Sequence, residues 1–184
     1  MYNKIIFLIT VLGIIMSIKS ADSKFSYSST KLDIISDAFG NNSFIPEKYG
    51  CKGENISIPL EWKGAQDGAK SFAILAEDPD VPHQIWVHWI LFNIDKNIFK
   101  LKENFNIDDY KSKSPNIKEG SNSYKKSEYS GPCPPEGQTH KYVFRIYALD
   151  KFLDLNTGAS KEELLKAMEG HILDTAELVG LYKK

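Results

Sequence analysis

The chain has 184 residues, of which 42% are hydrophobic and 26% charged, and its formal net charge is −1. This length is typical of one globular domain that can bury a sizeable core. The balanced charge excludes the basic surface of a nucleic-acid-binding protein, and with Arg145 as the single arginine, recognition by clustered bidentate guanidinium groups is also excluded.

The N-terminal segment is short and apolar. Lys4 precedes residues 5–16, which carry no charge. This run is shorter than the roughly 20 residues of a membrane-spanning helix and is typical of a signal peptide. We therefore expect residues 1–20 to be a signal peptide cleaved after Ser20 or Ser23, followed by a single domain over residues 24–184 of a periplasmic or secreted protein. An uncleaved membrane tether is the alternative.

Short apolar or alternating segments follow, as is typical of β-strands. In residues 85–94, period-two spacing puts His88 on one face with Ile90 and Phe92, and Val87 and Trp89 on the other. The last predicted strand also has some helical character near Ala176. The predicted strands cover residues 31–36, 56–62, 70–78, 85–94, 142–150 and 171–183.

Two further segments do not read as strands. Residues 98–130 are polar, and we predict a long surface excursion there. Ser160 and Glu163 form a capping-box pattern, and Gly170 stands where the cap of a short helix belongs. The sequence therefore predicts a mostly-β fold, a sandwich with a short helix near the C-terminus.

Two proline-containing segments each lead into a strand with a histidine. "EDPDVPHQIWVHW" carries Asp78, Asp80 and His88, and "GPCPPEGQTHKYVF" carries His140 on the same predicted face as Tyr142. A buried imidazole needs a hydrogen-bonding partner or a ligand. If the two strands approach one another, these side chains line one small cavity.

The two cysteines, Cys51 and Cys133, both lie in loops rich in glycine and proline. In an oxidising compartment an even pair permits a disulfide. Sequence alone cannot give the Cα separation that a disulfide needs, so a bond and two buried thiols both remain open.

The blocks "DPDVP…WVHW" and "GPCPPEGQTHKYVFRIYALD", with "CKGENISIPLEW" before them, resemble the phosphatidylethanolamine-binding protein (PEBP) family, in its bacterial and archaeal branch of Raf kinase inhibitor-like proteins. The resemblance covers roughly residue 31 to the C-terminus. It implies a β-sandwich with a small anion pocket that accepts phosphate, acetate or a phospholipid head group. The pocket residues that it implies are Asp78, Asp80, Pro82, Trp86, His88, Gly131, Pro134, Pro135, His140 and Tyr142.

Simple chemistry suggests a role for each part of this pocket. Gly131 permits close backbone approach, the prolines stiffen the loop, and backbone amides of such a loop can form a nest for an anion. One aspartate is expected to orient a histidine rather than face the anion.

We therefore expect a non-enzymatic binding protein for a small anion or phosphorylated ligand, with no cofactor and no nucleic-acid partner. The alternative is an exported inhibitor that acts on a protein partner such as a protease or kinase, and a homodimer stays open. Two other hypotheses are weaker: the histidines lack the spacing of a compact metal motif, and Cys133 with His140 as its base would serve a hydrolase only if Cys133 is a free thiol.

Overall fold

The structure, a computed structural model, describes residues 31–64 and 67–184. The expected signal peptide and its cleavage positions lie outside these residues. Two mainly antiparallel sheets, one short α-helix and two single-turn 3-10 helices (Glu47–Tyr49 and Ile107–Asp109) make up the fold of the described residues, which confirms the predicted mostly-β architecture. In chain order the elements are β1 (Asp33–Ile35), β2 (Ser43–Phe44), β3 (Leu60–Lys63), β4 (Ser71–Asp78), β5 (Trp86–Asp95), β6 (Lys100–Leu101), β7 (Lys118–Glu119), β8 (Thr139–Leu149), α1 (Lys161–Met168) and β9 (Ile172–Lys183).

The larger sheet has six strands in the order β2-β9-β8-β4-β5-β7, and the smaller has three in the order β1-β3-β6. All pairs are antiparallel except β2 with β9, which run parallel. The two-residue strands β2 and β7 are the outer strands of the larger sheet. The segment 171–183 is thus extended, and the alternative of helix near Ala176 is wrong.

The main core lies between the two sheets. Leu60 and Trp62 of the smaller sheet pack in one cluster with Phe72, Trp89 and Phe144 of the larger. A second cluster covers the opposite face of the larger sheet, where α1 adds its buried residues Leu164 and Met168. Strands β4 and β5 are therefore buried on both faces, as their nearly continuous apolar sequence predicts.

The predicted faces of β5 are correct from Trp89 to Phe92 but wrong at Val87 and His88, because the strand is bulged there. Val87 is paired with Glu77, but the next pair is Trp89 with Ala76, so His88 is the extra residue. An extra residue reverses the alternation beyond it. His88 therefore faces the main core beside Tyr142, on the side of Trp89, while Val87 joins Ile90 and Phe92 on the other side.

Helix α1 confirms its capping signals. Ser160 Oγ accepts from the Glu163 amide, and the Glu163 carboxylate accepts from the Ser160 amide. Gly170 follows the last turn with φ +75°, in the left-handed region that favours glycine. In the described part of the chain, no helix is long and apolar enough to cross a membrane.

The segment 98–130 is only partly the surface excursion that its polarity predicts. Ile98, Leu101 and Ile117 are buried, and they pack into the main core. Asn122 is also buried, with 2% of its surface exposed. These few apolar residues anchor the segment at the short strands β6 and β7, which hold Leu101 and follow Ile117.

Candidate functional site

The candidate site lies at one end of the larger sheet, where three strands meet. Strand β4 ends at Asp78, β5 begins at Trp86 opposite it, and β8 begins at Thr139 on the other side of β4. Glu77 pairs with Val143, so Asp78 lies beside Tyr142 and His140. The antiparallel register thus brings the two sequence blocks, 62 residues apart at Asp78 and His140, to one place.

Asp78 and His140 form a buried pair. His140 Nδ1 lies 2.7 Å from Asp78 Oδ2, and the two side chains are 7% and 3% exposed. The other carboxylate oxygen of Asp78 accepts from the Asp80 amide at 2.8 Å. Asp78 therefore orients the imidazole, the role expected for one of the two aspartates.

Asp80 has a different task. Its carboxylate accepts from the Lys141 amide at 2.8 Å, which ties the Asp-Pro-Asp turn to the start of β8. Asp80 is exposed, and this bond holds the turn beside His140. Both carboxylates are thereby engaged in positioning.

His88 reaches the site because of the bulge in β5. Its Nδ1 lies 2.7 Å from the Ser130 carbonyl oxygen, and its ring contacts that of Tyr142 at a centroid distance of 5.1 Å. Burial lowers the pKa of His88, while the Ser130 carbonyl and the charge of Asp78 oppose that shift. The imidazole is therefore mainly neutral near neutral pH.

Two buried donors at the site have no hydrogen-bond partner among the described residues. They are the hydroxyl of Tyr142 and the indole Nε1 of Trp86. Burial, followed by the charge of Asp78, raises the pKa of Tyr142, so the hydroxyl keeps its proton. Trp86 packs edge-on against Tyr124 at 5.2 Å. An unpaired buried donor costs roughly 1–3 kcal/mol, so such donors are expected where a ligand accepts from them.

The loop that precedes β8, residues 131–138, is held by contacts with the earlier loop that contains Tyr49 and Asn55. Gly131 donates its amide to Asn55 Oδ1 at 2.8 Å, and a Cβ at this position would lie 2.1 Å from the Tyr49 carbonyl oxygen. Position 131 therefore requires glycine because of a close backbone contact, as the sequence predicts. The contact is with the loop that contains Tyr49 and Asn55. The Cys51 amide also donates to the Pro132 carbonyl at 3.0 Å.

A disulfide joins Cys51 to Cys133 with a Cα separation of 5.3 Å, which decides between the two alternatives that the sequence leaves open. Because the Cys133 sulfur is bonded, the idea of Cys133 as a nucleophile with His140 as its base is wrong. Lys184 Nζ lies 3.5 Å from Cys133 Sγ, so the last residue also contacts this loop.

The predicted backbone nest is wrong for most of this loop. The amides of Gly131, Gly137 and Gln138 donate to Asn55, the Lys184 carbonyl and the Pro135 carbonyl. The three prolines have no amide hydrogen to offer. Donors for an anion must therefore come mainly from side chains.

The structure brings five predicted residues together and leaves others at the margin. Asp78, Trp86, His88, His140 and Tyr142 converge, with Gly131 and the buried Pro134 in the wall behind them. The remaining predicted residues are exposed in the flanking turns, and they are Asp80, Pro82 and Pro135.

Sequence reasoning missed the residues that hold the site in place. Asn122 donates to Ser130 Oγ and to the Glu128 carbonyl, and its Oδ1 accepts from the amides of Tyr124 and Lys126. It thereby shapes the loop that offers Ser130 to His88. Asparagine is a common turn residue, but nothing in its neighbours signals burial. Gln138, which lies 3.2 Å from His140 Nε2, was likewise missed.

Neither of two open cavities beside the site contains its histidines. One of about 500 Å³ is lined by residues that include Asn55, Glu119 and Tyr129, and one of about 420 Å³ by residues that include Val87 and Lys161. Within residues 31–64 and 67–184, no group of three or more histidine, cysteine or acidic side chains is arranged to hold a metal.

Comparisons with known proteins identify the family of this chain. A family model described as phosphatidylethanolamine-binding protein matches residues 35–183. A UPF0098 protein of Methanothermobacter thermautotrophicus is 46% identical over 153 residues, which cover 83% of this chain and 99% of that protein.

Two solved structures have a similar fold. A PEBP homolog from Chlamydia trachomatis has a TM-score of 0.77 and 39% identity, with 85% of this chain and 99% of that chain covered. YbcL of E. coli, described as a member of the mammalian PEBP family, has a TM-score of 0.74 and 26% identity, with 84% and 99% covered. The chain belongs to the phosphatidylethanolamine-binding protein family.

Proposed function

We propose that this chain is a non-enzymatic binding protein that holds a small anion or a phosphorylated ligand at the site of Asp78, His88, His140 and Tyr142. The observation that carries the proposal is the Tyr142 hydroxyl, which is buried, protonated and without a partner among the described residues. An acceptor atom of an anion would satisfy it, and the Trp86 indole nitrogen offers a second donor nearby.

Three further features support this function. The Asp78 carboxylate is engaged by His140 and by the Asp80 amide, so its charge is partly neutralised before a ligand arrives. The Cys51–Cys133 disulfide and the Asn55 contact stiffen the loop, which reduces the entropy lost on binding. The family name refers to a lipid whose head group contains phosphate.

The first experiment is a titration of the protein with inorganic phosphate and with phosphoethanolamine, followed through the ring resonances of His88 and His140. We expect saturable shifts. Tyr142→Phe should weaken phosphate binding by about ten- to a hundredfold, the equivalent of one hydrogen bond to a charged group. It should lower the free energy of unfolding by less than about 1 kcal/mol, because the hydroxyl makes no hydrogen bond of normal geometry, although Asp78 and the Cys133 backbone lie close enough to act on its pKa.

Tyr147→Phe is the matched control, because Tyr147 lies on the same strand but packs in the second core. It should leave phosphate binding unchanged. If neither anion shifts the histidine resonances, the proposal fails, and the alternative of an inhibitor that acts on a protein partner becomes the hypothesis to pursue.

A further inference from the structure

We propose that a second binding site, for a small aromatic carboxylate, lies in a cavity formed by β6 and the segments on either side of it. The cavity has a volume of about 520 Å³, which falls within the range of small-molecule sites. It shares no residue with the site of Asp78 and His140, so the inference is independent of the proposed function. The lining residues that carry the argument are Phe99, Lys100, Lys102, Asp109, Tyr110 and Lys113.

Phe99 gives the cavity a fixed aromatic wall. Its carbonyl oxygen accepts from the Trp62 amide at 2.9 Å, and its ring packs edge-on against that of Phe72 at a centroid distance of 6.2 Å. Nevertheless, 46% of Phe99 is exposed. A single exposed phenylalanine needs no explanation, but this one is held by the core and lines a cavity that contains a second aromatic ring.

The second ring belongs to Tyr110, which is also held in place. It stacks on Phe105 at a centroid distance of 5.1 Å, and its hydroxyl accepts from the Lys102 amide at 2.9 Å. Its carbonyl oxygen accepts from the amides of Lys113 and Ser114 at 3.0 and 2.8 Å. Because these contacts exist before a ligand arrives, little side-chain entropy is lost on binding. An aromatic ligand gains from edge-on or offset contacts with such rings beyond the area that it buries.

The lysines of the cavity differ in whether their charge is already balanced. Lys100 is paired, because its Nζ lies 3.0 Å from both Asp37 and Glu61. The ammonium groups of Lys102 and Lys113 have no partner among residues 31–64 and 67–184. Two unpaired cations beside two fixed aromatic rings indicate a ligand that combines a negative charge with an apolar ring.

Asp109 limits the charge that this ligand can carry. It is the one acidic residue among the described residues of the lining, and its carboxylate also has no partner there. Two ammonium groups and one carboxylate leave one positive charge to be balanced. A monoanion balances it, whereas a dianion would bring a further negative charge towards Asp109. A carboxylate accepts charge-assisted hydrogen bonds from ammonium groups, so a carboxylate on one or two fused aromatic rings fits both the charge and the walls.

The test is a titration of the protein with 2-naphthoate, followed through the backbone amide resonances of Phe99 and Tyr110. Two compounds with the same rings are the controls: 2-naphthamide, which is neutral, and 2-naphthylmethylamine, which is a cation. We expect saturable shifts with 2-naphthoate and a Kd on the order of 1 mM, as befits a ligand of this size. The affinity for 2-naphthamide should be about fivefold lower, and that for the amine lower still.

Three variants locate the site. Phe99→Leu keeps an apolar side chain against the core but removes the ring, and it should weaken 2-naphthoate binding about fivefold. Replacing Lys102 and Lys113 together by glutamine should abolish the preference for 2-naphthoate over 2-naphthamide. The matched control replaces Lys96 and Lys166 by glutamine, because both are exposed and neither lines the cavity. It should leave the preference unchanged.

Competition with inorganic phosphate at constant ionic strength separates this site from the one that contains the histidines. Phosphate should shift the resonances of His88 and His140 without displacing 2-naphthoate. Displacement would mean that the aromatic acid occupies the histidine site, and the inference would be wrong. It would also be wrong if 2-naphthoate gave no saturable shift, bound no better than 2-naphthamide, or bound equally well to both cavity variants. Binding of 2-naphthoate without any phosphate shift would support this inference and overturn only the proposed function.

Discussion

Gly131→Ala tests whether the site loop is held by close packing against the loop behind it. The new Cβ would lie 2.1 Å from the Tyr49 carbonyl oxygen and 2.7 Å from Asn55 Oδ1, whereas real Cβ contacts stay above 3.0 Å. The backbone must therefore move by roughly 1 Å, and overpacking of this kind costs about 1–3 kcal/mol. Loss of the amide bond to Asn55 adds about 1 kcal/mol.

We expect Gly131→Ala to lower the free energy of unfolding by about 2–4 kcal/mol in urea denaturation. Phosphate binding should weaken too, because the preceding residue, Ser130, anchors His88. Gly137→Ala is the control in the same loop, since its Cβ meets nothing within 4 Å and only its φ of +77° is unfavourable, at a cost of about 1 kcal/mol. Equal losses for the two variants, with phosphate binding intact in both, would refute the packing argument.

Three further predictions concern stability. Replacing Cys51 and Cys133 together by serine should cost up to about 4.5 kcal/mol on the loop-entropy account for a separation of 82 residues; a loss below about 1 kcal/mol in urea denaturation would contradict it. Because the pKa of His88 is lowered from its usual 6.5, the unfolded chain binds the extra proton. The free energy of unfolding should therefore fall as the pH drops below about 6.5, and His88→Asn should flatten that dependence; an unchanged slope would count against a neutral His88. Ser160→Ala removes the bond to the Glu163 amide and should cost about 1 kcal/mol in thermal or urea unfolding, whereas no loss would mean that α1 depends on packing alone.

Much of the fold is predictable from local patterns, because strand alternation and capping are local physical effects. The continuous run of β4 and the Ser160 capping box appear in the structure, and the alternating segment 56–62 becomes a strand from Leu60 onwards. The faces of β5 are not predictable in this way. A bulge at His88 depends on the register with β4, and register is a tertiary property.

The candidate site, like the fold, is predictable from the sequence only in part. Motifs identified the residues that present polar atoms, such as His140 and Tyr142. They did not identify the partners that fix those atoms, such as Asn122 and Ser130, since these act through backbone and amide groups whose identity leaves little trace in sequence. The backbone nest failed for a related reason, because amide direction depends on contacts with a distant loop.

The short strand β2 at one edge of the larger sheet has a consequence for self-association. Strand β9 is twelve residues long, and a bare edge of that length would be a template for pairing with another chain. Ser43 and Phe44 cover Gly180 and Leu181, the amide of Asn42 bonds the Val179 carbonyl, and the side chain of Asn41 accepts from the Val179 amide. Loosening of residues 41–45 would uncover this edge, so aggregation of the native protein is expected to begin there, one strand away from Tyr142, which pairs with Gly180.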